Sequence, residues 1–378
     1  MRHTGYLPLP EILETVRKVS SLPEANHKVE EAMPDYLVAF WNVENLFGPE
    51  NHPHRIPWVA EDLGSDLVGW TPALYQKKLD QLAKIIRQMN GGTGPDILGV
   101  CEVEDHHVLA DLVSTLTPLL PSRSYDVVHA TADLSFRGID TAFLFDQNLF
   151  TVDPALVFNH FVMRRTGTRD ILQATFKSVA SGKELVVMAN HWPSRYGGAG
   201  AQASAGFRAT AGETLSYWHK RIREEAPAGT RTPVLALGDM NDDPWDPSLT
   251  INARATRERG DVERATSERF YNFTWEYLLT SATDKNGNAR VLEGTLYYDN
   301  NGNLFDQILA NRPLLDSGQS DFKVVDGSAG IIAFQEMVSH LKGEGPIRFG
   351  LPKGDASSNV NVDGFSDHFP VGILVREA

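Results

Sequence analysis

Several short segments of this 378-residue chain end in side chains able to hold a metal ion or move a proton. They are Phe40-Trp41-Asn42-Val43-Glu44-Asn45, Gly99-Val100-Cys101-Glu102-Val103-Glu104, Ala189-Asn190-His191-Trp192-Pro193-Ser194-Arg195, Leu237-Gly238-Asp239-Met240-Asn241-Asp242 and Ser366-Asp367-His368-Phe369-Pro370. Carboxylate and amide oxygens suit a hard cation such as Mg²⁺, which prefers oxygen ligands. Imidazoles titrate near neutral pH and exchange protons there. Asp239 and Asn241 stand two apart, so on a strand end they project to the same side. Each segment also has a plain alternative. Gly, Asn and Asp all favour turns, so Gly238–Asp242 alone reads as a strand-to-turn transition, and Glu102 alone reads as a solvent-facing carboxylate at a strand end.

Such residues act together only if elements far apart in sequence aim them at one point. Short apolar runs of strand length recur at Tyr36–Val43, Asp96–Val103, Asp126–His129, Thr141–Phe145, Ile171–Phe176, Leu185–Asn190, Val234–Leu237, Gln307–Ala310 and Phe369–Val375. The chemistry-bearing segments begin at or near the C-terminal ends of these runs, apart from the last. Thr71–Met89 is the clearest helix: Thr71 caps it, Pro72 suits its first turn, and Tyr75, Leu79, Leu82, Ile86 and Met89 fall on one face. A second helix is expected over Arg208–Glu225. Strands mixed with helices, some strands joined by hairpin-length connections, point to an α/β sandwich rather than a strictly alternating barrel.

Residues 1–34, with Pro8, Pro10, Pro23 and Pro34, read as an N-terminal extension, and residues 35–378 as the catalytic domain. His52–Trp70, Gly197–Gly206 and Gly327–Gly364 read as insertions or long loops. The histidines His52, His54, His106 and His107 read as loop or surface residues. The run Arg254–Arg269 alternates in sign and is expected to form a solvated helix face.

Composition excludes some classes. A 42% hydrophobic and 22% charged chain is ordinary for a globular protein, and it lacks the run of roughly 18 apolar residues that a membrane-spanning helix needs. The N-terminus shows no apolar core of a secretory signal, so a cytoplasmic location is expected. The single Cys101 forms no internal disulfide, and its apolar neighbours Leu98, Gly99 and Val100 suggest a buried thiol. A net charge of −14 repels polyanions at long range and argues against a protein that grips nucleic acid by a broad basic face.

The ordered set (Asn after the first strand, Glu after the second, Gly238-Asp239-Met240-Asn241, then Ser366-Asp367-His368) resembles the endonuclease/exonuclease/phosphatase superfamily. Phe305-Asp306-Gln307-Ile308-Leu309 is similar to the family's Asp-x-Ile motif. The resemblance implies a four-layer α/β sandwich, two packed mainly antiparallel β-sheets flanked by helices. It also implies a hydrolase that cuts phosphate esters with Mg²⁺ or Mn²⁺. Hydrolysis of such an ester requires charge stabilisation on the non-bridging oxygens, an activated water and help for the leaving alkoxide. On this reading Glu102 is the first metal ligand, with Asn42 and Asp367 beside it and Glu44 as a further acidic position. Asp239 orients or deprotonates the attacking water and Asn241 holds a phosphate oxygen. His368, oriented by Asp306, and His191 bracket the phosphate. Arg137 and Arg195 are candidate phosphate contacts, because a guanidinium grips two oxygens at once.

The reaction class is better defined than the substrate, since one fold and centre serve many phosphate esters. Asn190-His191-Trp192-Pro193-Ser194-Arg195 looks like the bacterial nuclease-like branch. Asp306 is followed by Gln307 where the inositol phosphatase branch has Arg. The leading expectation is a nuclease or phosphodiesterase acting on DNA or RNA. A phosphatase or phosphodiesterase for a small-molecule or lipid-headgroup ester is the second, favoured by the acidic charge. A noncatalytic binding module on the same fold is the third.

Overall fold

A computed structural model describes residues 34–130, 139–163, 169–195 and 200–378, with side chains in the last range described from Ser204. In chain order the strands are β1 (Asp35–Leu46), β2 (Ile97–Val103), β3 (Tyr125–His129), β4 (Asp140–Asp146), β5 (Phe150–His160), β6 (Ile171–Ser178), β7 (Glu184–His191), β8 (Val234–Asp239), β9 (Ala255–Thr256), β10 (Phe270–Asn272), β11 (Thr280–Thr283), β12 (Ala289–Leu292), β13 (Leu296–Tyr298), β14 (Asn301–Asn303), β15 (Asp306–Asn311), β16 (Phe322–Val324), β17 (Gly330–Ile331) and β18 (Val371–Glu377). One seven-stranded sheet runs β16-β18-β1-β2-β4-β3, with β17 beside β18, and the other runs β5-β6-β7-β8-β15-β10-β9. Pairing is mainly antiparallel, with parallel contacts at β1–β2, β7–β8 and β9–β10.

The sheets pack face to face because their inner faces are apolar. Phe40, Phe143, Phe176, Leu185, Leu235, Leu237 and Ile308 are fully buried in one cluster. Each such side chain contributes about 1.5–3 kcal/mol. Phe143 and Phe176 meet edge to face at 5.3 Å across the layers. Gly99 is needed at the closest approach, where a Cβ would lie 2.9 Å from both Leu237 and Phe40.

Helices cover the outer faces. The helix Pro72–Ile86 is capped by Thr71, whose hydroxyl accepts from Leu74 N–H at 3.3 Å, and it buries Tyr75, Leu79, Leu82 and Ile86. Beside it, His106–Leu116 buries Val108, Leu109, Leu112 and Leu116. The other sheet is covered by the helix Gly200–Glu225, whose Ala211 and Leu215 pack with Val186, Met188, Trp192, Ala236 and Phe270. The expected four-layer sandwich is the observed fold.

The structure departs from the sequence expectation in places with identifiable causes. Strand β5 has no counterpart among the expected strands. It carries Asp153-Pro154 and lies at a sheet edge with a register shift between Val152 and Val157, which is where a sheet tolerates proline. The long helix begins at Gly200, eight positions before the expected start, inside the small-residue tract read as a loop. Pro57–Leu63 is helical within the expected His52–Trp70 loop. The Arg254–Arg269 run is not one helix. It holds β9 and a short helix, Arg259–Glu263, with internal ion pairs Arg259–Glu263 and Arg264–Asp261. Cys101 is buried and free, as its neighbours suggested.

Candidate active site

The sheets bring their chemistry-bearing ends together by register. Asn42 lies opposite Cys101 in the β1–β2 pair, which sets it beside Glu102. Asp239 pairs with His191 across β7–β8 and with Asp306 across β8–β15. Gly238 allows the close β7–β8 approach, since a Cβ there would sit 2.2 Å from the Asn190 carbonyl oxygen. The two sheets then meet through one amide. Asn42 Nδ2 donates to Asp239 Oδ2 at 3.1 Å and to Glu102 Oε1 at 3.3 Å, and it stands 3.4 Å from His368 Nε2.

His368 comes from the loop before β18 and is fixed from several sides. Ser366 Oγ donates to Asn42 O at 2.6 Å and accepts from His368 N–H at 3.1 Å, while Trp41 Nε1 donates to His368 O at 2.9 Å. From the covering helix, Lys78 Nζ donates to Phe365 O at 2.6 Å and Gln81 Nε2 to Gly364 O at 3.0 Å. His368 Nδ1 lies 2.7 Å from the fully buried Asp306 carboxylate, leaving Nε2 directed toward Asp239 at 3.8 Å. Burial pushes the His368 imidazole down, but Asp306 and Asp239 outweigh it and hold its pKa well above the ordinary value. His191 Nε2 is 3.6 Å from Glu102 Oε1 and 3.8 Å from Asp239 Oδ2.

Three carboxylates, Glu102, Asp239 and Asp367, therefore converge on one cleft. Burial raises the Asp239 carboxyl, partly offset by His368. Burial and Glu44 likewise raise Asp367. The carboxylate oxygens fit a hard divalent cation, which would relieve this crowding of negative charge, while Asn42 turns its NH₂ to Glu102 and Asp239 and its Oδ1 to Glu44 N–H. Backbone strain marks the same place: Glu102 and Asn241 are left-handed, with φ of 62° and 51°. For Glu102 this costs on the order of 1–2 kcal/mol, whereas asparagine adopts the conformation more readily. Asn45 N–H binds Glu102 Oε2 at 3.0 Å and Asn241 N–H binds Asp239 Oδ1 at 3.0 Å, so the strained turns aim the carboxylates.

Of the residues expected at the site, Asn42, Glu102, His191, Asp239, Asn241, Asp306, Asp367 and His368 come together here. Glu44 does not join them. The left-handed turn at Glu44 and Asn45, φ 53° and 59°, sends its carboxylate into a fully buried position. There it accepts from Arg348 Nε at 2.9 Å and Phe349 N–H at 2.9 Å, with Arg348 Nη2 at 2.8 Å. Arg195 is likewise engaged elsewhere, with Asp242 at 2.9 Å, Asp243 at 3.2 Å and Asp246, and its guanidinium lies 4.7 Å over the Phe305 ring. Neither Glu44 nor Arg195 lines the cleft. Arg137 lies outside the described residues.

The cleft has a volume of about 750 Å³. Its rim brings in groups that the motifs did not reveal: Arg169, Lys285, Tyr297, Tyr298, His340 and Arg348. Arg348 has a 65% exposed side chain whose guanidinium is paired through Nε and Nη2 with Glu44, which raises its pKa. Arg169 donates to Trp192 O at 2.9 Å. Arg169 immediately precedes a strand, a weak signal available in the sequence. Arg348 falls in the long Gly327–Gly364 return, where nothing in the sequence fixes its position.

A sequence profile described as the endonuclease/exonuclease/phosphatase family matches residues 37–377. The chain belongs to that family, whose members are phosphate-ester hydrolases, generally dependent on divalent metals, and include nucleases, phosphodiesterases and phosphatases. Among solved structures, an endonuclease/exonuclease/phosphatase family protein from Bacteroides thetaiotaomicron superposes with a TM-score of 0.50 at 15% identity, covering 91% of this chain and 99% of its own. ANGEL2, described as a 2',3'-cyclic phosphatase and solved with adenosine-2',3'-vanadate, superposes with a TM-score of 0.52 at 12% identity, covering 91% and 96%. At such identities the likeness shows the fold. No curated protein sequence matches the chain. No helix among the described residues is long and apolar enough to cross a membrane.

Proposed function

We propose that residues 35–378 form a divalent-metal-dependent phosphodiesterase that takes a nucleotide-sized phosphate ester, either the end of a DNA or RNA strand or a free nucleotide ester, with residues 1–34 as an N-terminal extension. The carrying observation is a cleft of about 750 Å³ with an acidic floor and a rim of Arg169, Arg348, Tyr297 and Tyr298. That volume is typical of a small-molecule site, and the net charge of −14 offers little long-range attraction for a polymer.

Glu102 would be the principal ligand for Mg²⁺ or Mn²⁺, with Asp367 beside it and Asn42 orienting the Glu102 carboxylate through its NH₂. A cation held there stabilises charge on the non-bridging oxygens and makes a bound water more acidic. Asp239, held by Asn42 and Asn241, orients the attacking water and accepts its proton. His368, kept cationic by Asp306, donates to the phosphate, and His191 from the opposite side stabilises the developing charge or protonates the leaving oxygen. Arg348, through the guanidinium N–H groups that Glu44 leaves free, contacts a remaining phosphate oxygen. Tyr297 and Tyr298 offer faces for a base.

The acidic surface also favours a second reading, a phosphomonoesterase for a small molecule. Both are tested by Mg²⁺- and Mn²⁺-dependent turnover on bis-p-nitrophenyl phosphate, p-nitrophenyl phosphate, end-labelled DNA and RNA oligonucleotides, and closed circular plasmid. The expected result is cleavage of the diester and of strand ends, with the closed circle resistant. Nicking of the circle as fast as release from ends would overturn the enclosed-substrate reading, and hydrolysis of the monoester alone would select the phosphatase.

A further inference from the structure

Away from the cleft, the segment that leaves β1 is clamped to the end of β2. Arg55 Nε donates to Glu104 Oε1 at 2.7 Å and its Nη2 to Glu104 Oε2 at 3.0 Å, while Gly48 N–H donates to Glu104 Oε2 at 2.7 Å. The same guanidinium also holds Gly48 O at 2.8 Å and Glu50 O at 2.7 Å. Next along the chain, Asp105 caps the helix His106–Leu116, its Oδ1 accepting from His107 N–H at 2.8 Å and Val108 N–H at 3.1 Å. The clamp therefore sets His52 and His54 against the first turn of that helix. His52, Glu104 and Asp105 each offer a ligand atom within 4.8 Å of one another. The His54 and His107 rings lie parallel at 4.0 Å, and the His52 ring is 5.8 Å and 5.9 Å from them.

We propose that His52 and Asp105, joined by His54 and His107 as their rings turn out of their stack, form a transition-metal site, for Zn²⁺, that clips the Gly48–Arg55 segment to the start of the helix His106–Leu116. Three imidazoles and one carboxylate are the ligand types of a tetrahedral zinc site and not those of Mg²⁺. Asp105 keeps Oδ2 turned to this cluster, 3.4 Å from His107 Nδ1, while its Oδ1 serves the helix. Glu104 has both oxygens engaged by Arg55 and Gly48, so it stands behind the ligands as an anchor. His52 Nδ1 is buried with no hydrogen-bond partner among the described residues, and a metal supplies the missing one. Its ring lies so close over Gly48 that a Cβ there would come within 2.4 Å of it, which fixes the imidazole in place. The His54 and His107 rings lie parallel, so each turns about its side-chain torsions to bring a ring nitrogen to a common ion. None of these residues lines the catalytic cleft.

The test uses the full chain without a polyhistidine tag, stripped with chelator and dialysed against Zn²⁺ in excess Mg²⁺, with bound metal measured by atomic emission. A Glu102→Gln/Asp367→Asn variant, weakened in the cleft, retains one Zn²⁺ per chain. A His52→Ala/His107→Ala variant loses it, with affinity reduced at least by the roughly 10–100-fold that even an outer-shell change costs. Co²⁺ substitution adds a second readout, since visible absorption of a tetrahedral nitrogen-rich site changes in His54→Gln, a substitution at an exposed residue that leaves the clamp intact. Equal Zn²⁺ uptake by the His52→Ala/His107→Ala variant, none by the Glu102→Gln/Asp367→Asn variant, or an unaltered Co²⁺ spectrum in His54→Gln would overturn the proposal.

Discussion

On the floor of the cleft, Asn42 stands where the regular β1–β2 pairing ends, and Glu102, Asp239 and His191 at or next to the ends of strands whose register is locked on both sides. On the rim, Tyr297 and Tyr298 ride a three-residue strand, and Arg348 comes from an irregular return. The floor is rigid because moving any of these side chains means shifting a buried strand, and register slips flip whole faces. The rim is joined to it at few points. Leu296 bridges His368, Phe369 N–H donates to Thr295 O at 2.8 Å, and Glu44 holds Arg348. The difference separates two tasks: strand ends hold the reacting groups in fixed geometry, while loops decide what reaches them.

The largest test of this division is Glu102→Gln. The substitution keeps size and leaves an oxygen for Asn45 N–H, but it removes the charge at the centre of the floor. Turnover is expected to fall by about 10²-fold or more, as for loss of a metal ligand or an acid–base group. The measurement is kcat at saturating Mg²⁺ on a diester substrate, with circular dichroism to establish folding. A folded variant with unchanged kcat would remove Glu102 from the chemistry and return it to a solvent-facing strand end.

The same division explains what was legible in the sequence. Floor residues announce themselves because a strand end followed by Asn, Glu or Gly-Asp-x-Asn breaks an apolar run with a specific polar type. The ordered set of such breaks carried the fold, and eight of the residues expected at the site lie close together, six of them lining the cleft. Glu44 misled because sequence spacing alone does not reveal that its backbone enters the left-handed region and turns the carboxylate inward. Arg195 misled because its partners Asp242, Asp243 and Asp246 follow on a different segment. Arg348 was hidden in a return with no periodicity. Strand β5 was hidden by a proline that only an edge position tolerates. The histidines at 52, 54 and 107 looked unrelated because Arg55 and Glu104, rather than any short motif, bring them together.

An intermediate effect is expected on the rim. Arg348→Ala removes an exposed guanidinium and leaves the buried Glu44 carboxylate with only the Phe349 N–H. If the rim selects and the floor reacts, KM rises by roughly 10-fold, the equivalent of about 1.4 kcal/mol, while kcat changes little. Arg348→Lys restores charge but not the two-pronged contact with Glu44, so it recovers only part of the loss. A fall in kcat with KM unchanged would place Arg348 among the groups acting in the transition state and erase the distinction between rim and floor at this residue.

The last effect, on stability and not on turnover, concerns what lies beneath both regions. Lys78 is 1% exposed, donates to Phe365 O, and has its pKa pushed down by burial to about 8 from 10.5, against the opposing pull of Glu44, Asp367 and Glu102. Its folded pKa is below its unfolded one, so between pH 8 and 10.5 the unfolded chain binds more protons. The lysine's cost to the fold is therefore present below pH 8 and disappears as pH rises toward 10.5, giving a stability increase of at most about 1.4 kcal/mol per pH unit. Chemical denaturation of the chelator-treated protein across this range is expected to show that rise in the wild type and to lack it in Lys78→Met, whatever the variant's baseline. Parallel profiles would mean that Lys78 keeps its ordinary pKa in the folded chain, its ammonium charged throughout this range. The loop carrying Asp367 and His368 would then be held by a charged hydrogen bond, with Glu44, Asp367 and Glu102 fully offsetting the burial of the cation.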